Sequence, residues 1–279
     1  MIMKDSYENF SKYRTELMGI AALGVLAGHS TDIVRYPIVL QTLLSYGAVS
    51  VYIFAVLSGM GLYYSLKKRG AGYSKWEFYK RRMFRVFLPY LLIAGTWYGI
   101  KYLVIERSIS GFIYELSTLS YWMEHKGAWY VAMLLPAYLL FPFLYDFVER
   151  KKGKVRLGLV YSVCFTLMVL TFYLNELLYK HLFQVMNSVL LILSGYYIAK
   201  QIESNSFDER KAFLVCLGMF AIKTLTPLKR VGWIVDITYA YLSLALMVGI
   251  TWLFNIMHNN IYIYIYQEKR NNFAGIIPV

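Results

Sequence analysis

At 279 residues, 58 % hydrophobic and only 16 % charged against roughly 25 % in soluble chains, the sequence excludes a water-soluble globular domain. Its net charge of +13 would suit a nucleic-acid partner. The basic residues instead fall in short clusters between apolar runs, which excludes one continuous basic face and points to membrane topology.

Cys164 and Cys216 both lie inside apolar runs, leaving no disulfide framework and no CxxC metal site. No metal and no bound cofactor is expected. Apolar runs of roughly 16–25 residues predict about eight transmembrane helices, at 17–35, 43–66, 83–105, 128–147, 157–174, 182–200, 212–227 and 233–257. The fold class is all-α: one polytopic transmembrane helix bundle over residues 1–257, with an atypical tail at 258–279. The first apolar run is long and lacks an A-x-A-like cleavage site, so it reads as an uncleaved span. Most of the 29 basic residues fall before the first span or after the even-numbered ones, which puts the N-terminus in the cytoplasm.

The first span carries the polar residues. Leu17 to Val34 would rise about 27 Å, close to one hydrocarbon thickness. His29 and Asp32 are three apart and share a helix face, and Arg35 extends that face by another turn. Ionisable groups at bilayer depth mark a site by default, although Asp32 and Arg35 at the interface with His29 bonded to a neighbouring helix would look the same. Gly24 and Gly28 on this span, and Ser58, Gly59 and Gly61 on the second, are small residues that allow close helix approach.

The third span opens FYKRRMFRVFLPYLL. Arg82 and Arg85, three apart at a helix start, offer two guanidinium forks to a cytosolic anion or anchor the span to lipid phosphates. Pro89 is expected to loosen the turns behind them. Residues 108–125 are too polar to span and read as an interfacial helix with Tyr121 and Trp122 at headgroup depth. The seventh span is short and ends at Pro227. His125, His181 and His258 lack metal-like spacing and read as interfacial loop residues.

Four of these segments resemble the acyltransferase 3 family, polytopic bacterial enzymes that O-acylate cell-surface sugars. GIAALGVLAGH (Gly19–His29) is similar to the family segment ending in its proposed catalytic histidine. VSVYIFAVLSGMGL (Val49–Leu62) is similar to its VDxFFVLSGFL segment, FYKRRMFRVFLPYLL (Phe78–Leu92) to its F-x-x-R-x-x-R-x-x-P element, and GAWYVAMLLPAYLLFPFL (Gly127–Leu144) to its LWYLxxLLxxYLLFPLL span. The order matches as well. In the family an arginine commonly stands eleven residues before the histidine; that place is Met18 here, and the nearest arginine is Arg14. The family usually has ten spans, so a chain of eight reads as truncated at its C-terminus.

The resemblance implies transfer of an acyl group, most often acetyl from acetyl-CoA, to a hydroxyl of a saccharide or glycolipid across a bacterial cell membrane. Partners are then acyl-CoA, the acceptor and the lipid bilayer, with no nucleic acid. Arg14, Arg82 and Arg85 are expected to bind acyl-CoA phosphates. His29 is the expected base, and Asp32 either holds its tautomer or pairs with Arg35. Ser58 is expected to donate to the thioester oxygen or to accept the acyl group briefly. Trp129 and Tyr130 suit the acceptor-side face of a sugar or an aromatic belt. The competing readings are a non-enzymatic exporter or flippase of a polysaccharide, with the polar stripe of the first span lining its path, and an inactive remnant of the enzyme.

Overall fold

The computed structural model describes residues 12–70, 74–204 and 240–258, with isolated positions between 206 and 238. Every regular element among the described residues is helical. In chain order they are α1 (Arg14–Ile33), α2 (Ile38–Ser45), a single 3-10 turn Tyr46–Val49, α3 (Ser50–Lys67), α4 (Lys75–Tyr98), a π-helical stretch Gly99–Ile105, α5 (Ile109–Leu116), α6 (Leu119–Glu124), α7 (Trp129–Val148), α8 (Gly153–Leu174), α9 (Glu176–Glu203) and α10 (Ala240–His258). Helices satisfy every backbone group internally, which is what a chain this apolar needs in hydrocarbon.

Six helical segments among the described residues are long and apolar enough to cross a membrane: Ile38–Lys67, Lys75–Ile105, Trp129–Val148, Gly153–Leu174, Glu176–Glu203 and Ala240–His258. They correspond to six of the eight expected spans. The first expected span is helical too, as α1, but Arg14, Glu16, His29 and Asp32 lower its hydropathy and it is not among the six. The seventh, 212–227, falls mostly outside the described residues, and the tail after His258 lies wholly outside them.

The residues cluster into two compact units, Met1–Leu57 with Ile198–Val279, and Ser58–Tyr197. In the first, α1 does not run through Arg35 as its hydrophobic pattern suggested. It ends at Ile33, and Val34 is extended. Pro37 drives this break, because the residue before a proline is pushed out of helical backbone, and Pro37 then caps α2. Gln41 closes the turn, its amide donating to the Thr31 carbonyl at 3.3 Å and its oxygen accepting from the Tyr36 N–H at 3.2 Å. Arg35 therefore lies off the helix face that carries His29.

The returning chain packs on α1 with almost no side chain between. A β-carbon on Gly47 would overlap the Gly24 carbonyl and come within 2.7 Å of the Gly28 nitrogen, and one on Gly24 would overlap Ser50. The glycine spacing in the first span is thus a packing device. Tyr13, just before α1, meets Phe254 of α10 at 5.4 Å between ring centres.

In the second unit, α9 is the core and α4 the rim. In its most apolar stretch α9 is 67 % buried, against 6 % for α4. Gly59 of α3 abuts α9 so closely that a β-carbon there would overlap the Ile192 carbonyl. Tyr161 of α8 donates to the Leu190 carbonyl at 3.0 Å and also pairs with Ser194. Pro89 sits inside α4 without ending it, and its missing N–H leaves the Arg85 carbonyl without the usual helical donor.

Residues 108–125 fold as the two short helices α5 and α6, broken at Thr118, whose φ is 64°. The Ser108 hydroxyl caps α5 by accepting from the Gly111 N–H at 3.1 Å. At the other end of α5, Glu115 accepts from the Tyr102 hydroxyl at 3.2 Å, and that hydroxyl accepts from Lys101 at 3.1 Å. Tyr121 is fully buried rather than facing outward as an interfacial anchor, whereas Trp122 is 37 % exposed.

Candidate functional site

The start of α4 carries an unusual load of charge. A helix N-terminus is already the positive end of its dipole and favours anions, yet Lys75, Lys80, Arg81, Arg82 and Arg85 all fall in its first three turns. Like charges three and four apart each cost roughly 0.2–0.5 kcal/mol on a helix. The turns hold because α7 clamps them from one side. Lys75 pairs with Asp146 at 2.7 Å, Phe78 stacks on Phe141 at 5.8 Å, and the Tyr79 hydroxyl donates to the Leu139 carbonyl at 2.8 Å. Phe78 is the buried anchor of this contact.

Clamped in this way, α4 and the end of α3 border a half-open cavity of about 570 Å³. Its walls include Arg69 and Ser65 from α3 and the turn after it, and Lys80, Arg81, Arg82 and Arg85 from α4, with Phe78 and Phe84 as apolar surface. Glu77 is its one carboxylate, and it pairs with Arg81 at 3.4 Å across an exposed helix turn. Arg82 also lies 6.0 Å from the Tyr138 ring. Among the described residues no carboxylate pairs with Arg69, Lys80 or Arg85. Five cations against one acid make this wall strongly positive, and guanidinium forks of this kind can grip phosphate in a bidentate manner.

The two arginines expected from the sequence are thus brought into one cavity. Lys80, Arg81 and Arg69 join them, and only part of that was foreseeable. Phe78, Arg81, Arg82 and Arg85 fall at helical spacing and share a face by rule. Arg69 lies across the turn between α3 and α4, a closure that local pattern does not reveal.

Trp129 and Tyr130 open α7 and meet edge to face, 6.1 Å between ring centres. Asp146, which holds Lys75, lies about 26 Å from Trp129 by helical rise, while Arg82 of the cavity lies against Tyr138, about 14 Å along α7 from Trp129. Ser58 is half-buried on α3, beside the Gly59 contact with α9.

Arg14, His29 and Asp32 belong to the first unit. The unbroken helix separates Arg14 from His29 by about 22 Å along its axis, so the two do not touch. The His29 ring is exposed, one turn before the helix end. Asp32 lies in the same helix, and its side chain falls outside the described residues. His181 is not a loop residue: it is buried within α9, with its ring 5.1 Å from that of His125. No cluster of three or more metal-binding side chains occurs among the described residues.

The sequence model of one protein family, described as an acyltransferase domain, matches residues 17–267. No curated protein and no solved structure matches the chain at a significant level.

Proposed function

We propose that this chain, which belongs to the acyltransferase 3 family, moves an acetyl or other acyl group from cytosolic acyl-CoA to a hydroxyl of a cell-surface or exported saccharide. It is a membrane acyltransferase; donor, acceptor and residue roles are the proposal. The observation that carries the reading is the cavity with five cations at the start of α4. Coenzyme A is a polyphosphate attached to an acyl thioester, and a receptor of this charge and size suits its phosphates, with Arg82 and Arg85 as the principal grips and Arg14 assisting from the mouth of α1.

Acyl transfer then needs a base. His29 takes the proton of the acceptor hydroxyl, the oxygen attacks the thioester carbonyl carbon, the C–S bond breaks, and the leaving thiolate receives a proton in turn. An imidazole open to contact, rather than sealed in the core, is what that role requires. Asp32, one turn on, orients the ring. Ser58 either donates to the developing oxyanion or holds the acyl group between two steps. Trp129 and Tyr130, about two to three turns of α7 from the Tyr138 contact of Arg82, offer aromatic faces to the acceptor.

The test is incubation of membranes containing the chain with radiolabelled acetyl-CoA. Label should appear on surface glycan, and His29→Ala should reduce transfer about 10²–10⁴-fold with acetyl-CoA binding retained. Full transfer by His29→Ala removes the base assignment. Absence of labelled glycan, with unexported glycan accumulating in a deletion strain, favours the exporter instead.

A further inference from the structure

We propose that the strap made by α5 and α6, Ile109–Glu124, is latched to α9 by an imidazole pair, His125 and His181, that holds the strap only while His125 stays uncharged.

The strap needs a latch. Its second helix has six residues, too few to persist alone, and is bracketed by Thr118 at φ 64° and His125 at φ 57°, left-handed backbone that neither residue adopts without cost. While α5 is tied separately to α4 by the Tyr90 hydroxyl, which donates to the Leu116 carbonyl at 3.0 Å, what ties that second helix to α9 is His181. The ring is 6 % exposed, and its Nε2 lies 2.8 Å from the Tyr121 carbonyl, sixty residues away in the sequence. Trp122 stacks on the same ring at 5.6 Å and 23°, while Tyr121 and His125 both meet it edge-on at 5.1 Å.

The proton count follows from the acceptors. Nδ1 of His181 lies 2.8 Å from the Leu177 carbonyl, so both ring nitrogens face oxygens that can only accept. Only imidazolium has two N–H donors; the neutral ring would set a lone pair against one of those carbonyls. A second proton, on His125, would place two cations 5.1 Å apart.

The neighbouring charges are already committed. Lys180 is held by Glu176 at 2.7 Å, and Glu124 lies between Lys126 at 2.9 Å and the Tyr114 hydroxyl at 3.1 Å. Burial raises the Tyr121 hydroxyl to about 12, so it stays neutral. His125 titrates below the ordinary histidine value, through burial first and then the charges of His181 and Lys180. A latched strap therefore binds fewer protons at His125 than a free one, and its hold weakens as pH falls.

The strap connects α4 to α7 at the end where Trp129 and Tyr130 stand, and the latch would operate whether or not the chain transfers acyl groups. Hydrogen exchange on the full chain in lipid nanodiscs tests it, reading the amides of 109–124 between pH ~5 and ~9 with intrinsic rates divided out. Protection, above all at 119–124, should hold from neutral pH upward and fall about tenfold toward pH ~5, while α8 amides stay constant. His125→Asn, which keeps a residue tolerant of positive φ, should abolish the acid-side fall. His181→Gln should give low protection at every pH. Level protection across the range in the native chain, or an acid-side fall retained by His125→Asn, overturns the latch even if His181→Gln fails to fold.

Discussion

Lys75 and Asp146 meet at 2.7 Å, so the first residue of the helix that bears Arg82 and Arg85 is tied to the closing turn of α7. Both side chains are about 40 % exposed, which limits the pair to roughly 0.2–1 kcal/mol. Its importance is positional. Asp146→Asn should lower the melting temperature in detergent by no more than about 2–4 °C, since roughly 1 kcal/mol has that effect on a chain of this size. The KM for acyl-CoA should rise while kcat holds. A variant with unchanged KM would mean that the aromatic contacts of Phe78 and Tyr79 alone set the helix start.

Arg85 and Glu77 line the same cavity with opposite signs. Arg85→Ala should weaken acyl-CoA binding about tenfold, the loss of one charge-assisted contact worth roughly 1.4 kcal/mol. Glu77→Gln should tighten it. Both effects should shrink as salt rises, because the pair and the cavity mouth are solvated and screened. Titration of the purified protein at two ionic strengths measures all three; the same salt slope for Arg85→Ala and the parent chain would return Arg85 to a lipid anchor.

Gly47 bears on the other unit. A β-carbon there collides with backbone atoms of Gly24 and Gly28, which cannot yield as a flexible side chain would. Gly47→Ala should cost about 1–3 kcal/mol, the usual range for overpacking, and should shift α1 next to His29. Transfer should drop with acyl-CoA affinity retained, since the cation cavity is built from the other unit. Equal loss of both would indicate general unfolding instead.

Much of this architecture is written locally. Apolar runs of bilayer length locate the helices, and Phe78, Arg81, Arg82 and Arg85 share a face by helical spacing alone. The boundary at Ile33 was misplaced because hydrophobicity continues through Val34; the Tyr36-Pro37 step, not polarity, ends the helix. Thr118 looked helical for a similar reason: its neighbours are apolar at helical spacing, and a left-handed residue leaves no compositional trace. Contacts between distant segments were the least legible. Nothing near His181 announces Tyr121 as its partner, and nothing near Arg69 announces Arg85. The joint placement of His29 and Ser58 in one reaction remains a chemical expectation from their residue types.

The π-helical stretch after α4 has a structural consequence for the strap. A ladder of i→i+5 bonds, seen where the Glu106 N–H reaches the Lys101 carbonyl at 2.9 Å, accommodates one amino acid more than an ordinary helical path of the same length. Deleting a single position between 99 and 105 would relax the coil to normal pitch and swing everything downstream by about 100°. The Tyr102 hydroxyl would no longer reach Glu115. The surplus amino acid thus acts as an angular setting screw, fixing the heading at which the chain leaves the bilayer.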